Sequence, residues 1–533
     1  MSLFAQLASL TVQAGNGAHH SDAQHAAQHA AQHAAQQAVN WSEHLPALQI
    51  ALPLLAAPLC VLLRRARLAW GLAMLVSAGA LAISLTLLGR VLALGEGGAI
   101  SYHLGGWQPP WGIEYRIDAL NAFVLVIVTG ISTVVMAATP RSLESELPRE
   151  RHYLYYAAYL LCMTGLAGIT ITGDAFNIFV FLEISSLSAY ALISMGRTRR
   201  AVTSAYQYLV MGTIGGTFLL LGIGLLYMVT GTLNIADLSE RLALVGANRT
   251  VLVALACIVA GVSIKLALFP LHVWLPNAYT YAPAVVTAFL AATATKVAYY
   301  VLVRFVFSVF GTPLAFDELH LDALLLPLAI LAMFGASLVA IYQADVKRML
   351  AWSSVAQIGY MVLGLALANE SGLTGGLVHL FNHALMKSGL FLVMACFALR
   401  LGSTRLEDLA GVGHRMPLTF GAFVLGGLSL IGVPMTAGFV SKWYLVRGAL
   451  EAGMWPLAAA ILLSSLLAVA YIWRVVEVAW FREPATGDLR RAPLSILVPA
   501  WILLLGTLYF GLHTSFTVGT ASAAARLLLG GTP

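Results

Sequence analysis

Apolar stretches of about 20 residues follow one another along nearly the whole chain, and few charges interrupt them. A helix of that length crosses the hydrocarbon core of a bilayer. Backbone in hydrocarbon must satisfy its own N–H and C=O groups, so the pattern dictates a bundle of membrane-crossing helices. The residue balance agrees, with 60% of the 533 residues hydrophobic and 10% charged, against about 25% charged in an average soluble domain. Such a chain cannot cover a water-exposed globule.

Apolar windows begin near Leu48, Trp70, Leu120, Leu154, Ala175, Ala205, Val251, Ala284, Ala323, Val346, Leu373, Leu418, Trp455 and Leu494, and predict an all-α fold of fourteen spans. Assigning the connections alternately to the two sides places 17 basic residues on one side: Arg64, Arg65, Arg67, Arg141, Arg149, Arg151, Arg197, Arg199, Arg200, Lys347, Arg348, Arg400, Arg405, Arg415, Arg482, Arg490 and Arg491. The other side holds 6: Arg90, Arg116, Arg241, Arg249, Arg447 and Arg526. The positive-inside rule puts the richer set in the cytoplasm and both termini outside, and the even count agrees. The net charge of +6 then reflects topology and gives no reason to invoke nucleic acid.

Residues 1–46 form a polar arm ahead of a single membrane domain, 47–533. His25, His29 and His33 recur every fourth residue in a Gln-His-Ala-Ala pattern, so a helix would align three imidazoles for a metal. Low-complexity tracts of this kind are more often tails, and no metal site is expected. Met1 to Ala14 carries no basic stretch of the sort that opens a cleaved signal. Cys60, Cys162, Cys257 and Cys396 lie singly in separate apolar blocks. No Cys pair exists to hold a cluster or zinc, so no cofactor and no redox site of its own is expected.

The chain has five lysines, and four of them, Lys265, Lys296, Lys387 and Lys442, fall inside spans. Arginine does the loop work, whereas lysine, whose proton can leave on burial, is concentrated in the membrane. Snorkelling to the headgroups explains a lysine near a helix end, but Lys296 and Lys387 are central. Each central charge costs about 2.5–3.5 kcal/mol on the translocon scale, so the set predicts a polar, hydrated interior. Glu183 is equally deep, and a lysine beside it keeps both groups charged; parting them frees the lysine's proton. Glu477, three residues after Arg474, is expected to form a structural pair with it. His379 and His383 share a helix face with Lys387. Two imidazoles on one helix face cannot both be axial ligands of one haem, so a proton relay is the preferred reading.

Two spans are interrupted, by Pro270 and Pro276 after Lys265 and by Pro434 before Lys442. Such breaks are tolerated at membrane depth only where protein or a hydrated cavity surrounds them. Discontinuous helices at matching places in two halves point to an inverted-repeat transporter, here with repeats at about 154–310 and 323–480.

The runs Lys265–Pro276 with Ala282-Pro283, Asp345–Tyr360 and His379–Phe391 resemble the antiporter-like proton-translocating subunits found in respiratory complex I, membrane-bound hydrogenases and Mrp cation/proton antiporters. The likeness covers about Pro53 to Pro484, and Tyr102–Asp118 looks like the family's external hairpin. It implies fourteen helices with two inverted five-helix repeats. By motif position Glu183 matches the fifth-helix glutamate, Lys265 and Lys296 the seventh- and eighth-helix lysines, His379, His383 and Lys387 the eleventh-helix face, and Lys442 the end of the twelfth helix. The stretch Ala437–Leu445 looks closest to the D-type subunit of Mrp antiporters, with the quinone-oxidoreductase N-type subunit next. The chain stops soon after the fourteenth span, unlike the longer A-type and L-type relatives.

The resemblance implies a multi-pass subunit of a hetero-oligomeric complex in a bacterial inner membrane. Its partners would be other membrane subunits and lipids, and its cargo protons with Na+ or K+. Protons would pass from Lys265 and His272 by Lys296 and the His379/His383 face to Lys442, with Glu183 setting the charge of Lys265. Within a complex I-like or hydrogenase assembly the same axis would serve a proton-pumping translocase. Two further readings are a quinone-binding redox subunit and a scaffold whose lysines hold anionic lipid.

Overall fold

The structure, a computed structural model, describes residues 42–95, 97–483 and 491–530. His25, His29 and His33, and with them the metal reading, lie outside the described residues. From Pro46 onward the chain forms one compact unit.

Among the described residues, thirteen helices are long and apolar enough to cross a membrane. The first two are α1 (Leu45–Leu63) and α2 (Ala66–Ala93), followed by a hairpin of β1 (Ile100–His103) and β2 (Glu114–Ile117). Then come α3 (Ala119–Glu146), α4 (His152–Ile171), α5 (Ala175–Ser194), α6 (Arg199–Thr230), the short α7 (Ile235–Val245) and α8 (Arg249–Leu266). After the eight-residue α9 (Trp274–Tyr281) follow α10 (Ala284–Val303), α11 (Leu321–Ile341), α12 (Val346–Ala366) and α13 (Glu370–Leu401). The chain closes with α14 (Pro417–Ile431), α15 (Ala437–Glu451), α16 (Trp455–Phe481), α17 (Leu494–Leu512) and α18 (Ser515–Leu528). The span expected near Leu418 is made of two short helices, α14 and α15, neither of which is long enough alone.

Burial sorts these helices into an inner and an outer set. The most apolar windows of α10 and α12 are 94% buried, whereas those of α1, α2, α6 and α11 are 39% buried. Leucines on the outer helices, such as Leu55, Leu62 and Leu75, stay exposed, as a lipid-facing surface requires. The inner helices carry the candidate residues: Lys296 on α10, and His379, His383 and Lys387 on α13, which packs against both α10 and α12.

Polar side chains cap the helix starts where the chain turns. Asp118 accepts from the N–H groups of Leu120 and Asn121 at 3.0 and 3.1 Å, and Asp345 accepts from Arg348 at 2.8 Å. The hairpin expected over Tyr102–Asp118 is the β1–β2 pair. Its Glu114 is bonded by Ser101 at 2.6 Å and Asn234 at 2.9 Å. Arg304, which follows α10 in a π-helical turn, forms a close ion pair with Asp118 and so ties the hairpin's end to the central helix.

Two expectations from the sequence change. Arg474 does not pair with Glu477: its guanidinium donates to the backbone carbonyls of Ile341 and Gln343, and the nearest cation to Glu477 is Arg482 at 3.9 Å. Ile341 is the last residue of α11 and Gln343 lies just past its C-cap, so their carbonyls need donors that a guanidinium supplies, while the half-exposed Glu477 is reached by water. Lys347, assigned to a loop, is 6% exposed on the first turn of α12.

Candidate functional site

The first interruption begins where α8 ends at Leu266 and Ala267 turns left-handed with φ of 61°. Pro270 lies inside the gap and supplies no N–H. Pro276 sits in the first turn of α9, where a missing donor costs nothing, so it belongs to the new helix rather than to the break. The orphaned helix end is closed by Trp274, whose indole Nε1 donates to the Ile264 carbonyl at 2.8 Å while its ring stacks on Tyr208 at 3.8 Å.

Lys265, on the last turn before this gap, donates to Ser186 Oγ at 2.8 Å and forms an ion pair with Glu183 at 3.4 Å. A Cβ on Gly216 would come within 2.4 Å of the Glu183 carboxylate, so α6 leaves the acid its room by having no side chain there. Beside Lys265 a cavity of about 30 Å³ is lined by Ser185, Ser186 and Tyr208 and, across it, by Ala294 and Val297 of α10. That space is large enough for a water molecule.

The second interruption mirrors the first in outline and differs in how it is closed. α14 ends at Ile431, Gly432 takes φ of 90°, and Pro434 falls in the turn before α15. Here the lysine itself is the cap: Lys442 Nζ donates to the carbonyls of Leu430 at 3.2 Å and Ile431 at 2.8 Å. The same ammonium lies 4.8 Å from the centre of the Tyr360 ring.

Between the breaks, Lys296 is fully buried and donates to the Ala291 carbonyl and, at 3.3 Å, to Thr295. His379 and His383 stack with ring centres 5.9 Å apart. His379 Nδ1 bonds to Ser441 Oγ at 2.9 Å, next to Lys442 in the chain. Both ring nitrogens of His383 and Nε2 of His379 have no protein partner. Lys387 donates to the Leu350 carbonyl at 2.8 Å and to Ser353.

Lys265, Lys296, His379, His383, Lys387 and Lys442 are therefore all buried between the two breaks, and Glu183, its side chain 27% exposed, reaches the first of them through its ion pair with Lys265. His272 stands apart: its ring packs between Phe269 at 4.9 Å and Trp352 at 5.1 Å, and no bond joins it to the other candidates. Two residues escaped the sequence reading. Lys347 donates to the Ala282 carbonyl at 2.6 Å, and Glu146 accepts from the Ala284 N–H at 3.0 Å. A signal existed, because Lys347 is the one lysine in a set of loops otherwise served by arginine. Among the described residues no group of three His, Cys, Asp or Glu side chains could hold a metal ion.

Membrane-length helices around buried lysines and histidines define a polytopic integral membrane protein with ionisable side chains in its interior. The chain belongs to the family described as NADH:quinone oxidoreductase/Mrp antiporter membrane subunits, which it matches over residues 172–468. It is 43% identical to the N-type subunit of the NADH-quinone oxidoreductase of Desulforudis audaxviator over 487 residues, covering 88% of this chain and 96% of that protein. It is 29% identical to the D-type subunit of the Na(+)/H(+) antiporter of Bacillus subtilis over 485 residues, 90% of this chain and 96% of that one. A chain of the Mrp complex from Dietzia sp. DQ12-45-1b superposes with a TM-score of 0.84 at 28% identity, covering 93% of this chain and 98% of the other.

Proposed function

We propose that this protein is a proton-translocating subunit of a larger membrane complex, moving protons along the row from Lys265 to Lys442. The observation that carries the reading is the Glu183–Lys265 pair at 3.4 Å beside a broken helix. Closed, the pair sets a carboxylate against the lysine's ammonium; opened, it takes that counter-charge away and lets the proton leave towards the cavity that faces α10. Lys296 and the two histidines carry it on, and Lys442 at the second break passes it out. Two repeats, about 154–310 and 323–480, supply one break each, and α14 with α15 makes the fourteenth crossing. The arginine-rich loops face the cytoplasm and both termini face outward.

The complex that holds the subunit is of the quinone-oxidoreductase N type. The sequence alone leans to the antiporter's D-type subunit, but the identity of 43% to an N-type relative against 29% to a D-type relative weighs the other way. The antiporter reading, with Na+ or K+ exchanged for protons, keeps the support of the Mrp superposition. In either assembly the partners are other membrane subunits.

Two measurements test this. In vesicles carrying the intact complex, Lys265→Met and Glu183→Gln should each abolish dye-detected proton movement while the complex assembles normally; normal movement in either ends the axis reading. Mass spectrometry of the complex purified in mild detergent separates the assemblies. Iron–sulfur and flavin subunits fit the redox type, and a longer antiporter-like chain with small hydrophobic partners fits the antiporter.

A further inference from the structure

The elbow between α9 and α10 is the three-residue step Ala282-Pro283-Ala284. It joins the broken span of Lys265 to the helix that carries Lys296. Pro283 offers no side-chain cap to α10, and the Ala282 carbonyl is among the last of α9. Buried helix ends of this kind leave orphan donors and acceptors that need partners. Both partners are charged and come from elsewhere in the chain. Glu146, on the last turn of α3, receives the Ala284 N–H on both carboxylate oxygens, at 3.2 and 3.0 Å, and is itself bonded by Ser142 at 3.2 Å. Lys347, on the first turn of α12, donates to the Ala282 carbonyl at 2.6 Å. An anion at the start of α10 and a cation at the end of α9 each oppose the helix dipole there.

The elbow is stiff on its own account. Tyr279 OH donates to the Leu290 carbonyl at 3.2 Å, and Thr287 Oγ1 donates to the Tyr279 carbonyl at 2.8 Å. Force applied at Ala282 therefore moves α9 and the start of α10 together. On the other side of the clamp, the first two turns of α12 touch two of the candidate residues. The Leu350 carbonyl and Ser353 hold the Lys387 ammonium, and the Trp352 ring meets His272.

We propose that Glu146 and Lys347 are positioning residues that clamp the Ala282–Ala284 elbow, so that α9, α10 and α12 move as one body and the state of the Glu183–Lys265 pair reaches Lys387. Neither residue carries the transported proton. The inference rests on the proton-axis reading and adds to it the part that links the two halves mechanically.

The test uses the intact complex in sealed vesicles, with assembly checked on native gels and proton movement followed by dye. Lys347→Met removes the donor to Ala282 and should lower proton movement about tenfold. Lys347→Arg and Glu146→Gln keep a donor and an acceptor in place but cannot exchange protons as lysine and glutamate do. Both should retain transport within about threefold, with an unchanged pH profile. Full transport in Lys347→Met overturns the clamp. So does loss of transport in both Lys347→Arg and Glu146→Gln, since that result marks a proton carrier. Where Lys347→Met fails to assemble, the Arg and Gln variants decide alone. Lys265→Met in the same vesicles separates the two ideas: if it transports normally, the axis reading has failed, and if it is dead while Lys347→Met is normal, only the clamp has.

Discussion

Lys442 and Tyr360 face each other across the second break, the ammonium 4.8 Å from the ring centre, on helices α15 and α12 that meet in the buried interior. A desolvated cation over an aromatic face is stabilised by about 1.5–2 kcal/mol, a change of tenfold or more in an equilibrium. Tyr360→Leu should therefore slow proton movement about tenfold in an assembled complex. Tyr360→Phe keeps the ring and gives up only the long contacts to Ser465 at 3.3 Å and Ile461 at 3.5 Å, so it should stay within twofold. Equal rates in the two variants would show that the ring is packing alone.

A methyl group at Gly216 would press on the Glu183 carboxylate, which sits at the far end of a flexible side chain. Gly216→Ala should leave thermal stability nearly unchanged, because the acid swings aside. Displacing it parts the pair with Lys265, so transport should fall at least fivefold, assayed in the same vesicles as Glu183→Gln. A normal rate would mean that the pair's geometry is not limiting.

The Asp118–Arg304 pair makes a prediction about acid. Burial raises the Asp118 carboxyl, but Arg304 and the Leu120 and Asn121 N–H groups outweigh it and hold the acid below its ordinary value. A folded-state value below the unfolded one gives stability that is complete above the ordinary carboxylate range, near about 3.9, and is lost as pH falls through the folded value. Thermal unfolding of the complex in detergent should be insensitive to this pair from neutral pH down to about 4. Arg304→Met, which strands the carboxylate, should cost about 3–5 kcal/mol at neutral pH. If that variant melts with the unmodified protein, the pair does not hold the hairpin.

His29→Ala should be nearly silent in transport and assembly, since a Gln-His-Ala tract is the composition of a tail. A large loss of activity would restore the metal reading of the arm.

Most of the membrane architecture was legible because hydrocarbon permits so few backbone solutions: apolar length and proline position were enough to mark the spans and both breaks. That the lysines and histidines inside the spans are buried was legible for a related reason, since an ionisable group in a span is costly and so conspicuous. What the sequence hid lies at helix ends. Lys347 follows a capping Asp345 and precedes an arginine, a context that looks like a loop, and only the fold reveals that the Ala282 carbonyl occupies its ammonium. The error at Arg474 has the same source, since spacing along one helix offers Glu477 as a partner and says nothing of the carbonyls that α11 brings alongside. The sequence places His272 next to a break, and only the fold reveals that its ring packs between Phe269 and Trp352.

The two breaks are sealed by different chemistry, and this makes the halves unequal. An indole N–H holds Ile264 whether or not any proton has moved, so on the proposed route the first half would sense its load through a side-chain carboxylate, Glu183. At the second break the load and the seal are one atom. When Lys442 gives up its proton, the charge assistance in its bonds to Leu430 and Ile431 goes with it, and the end of α14 is held by neutral bonds of about half the strength. On the proposed route, then, emptying the last site would loosen the backbone around it, while emptying the first would leave its backbone where it was.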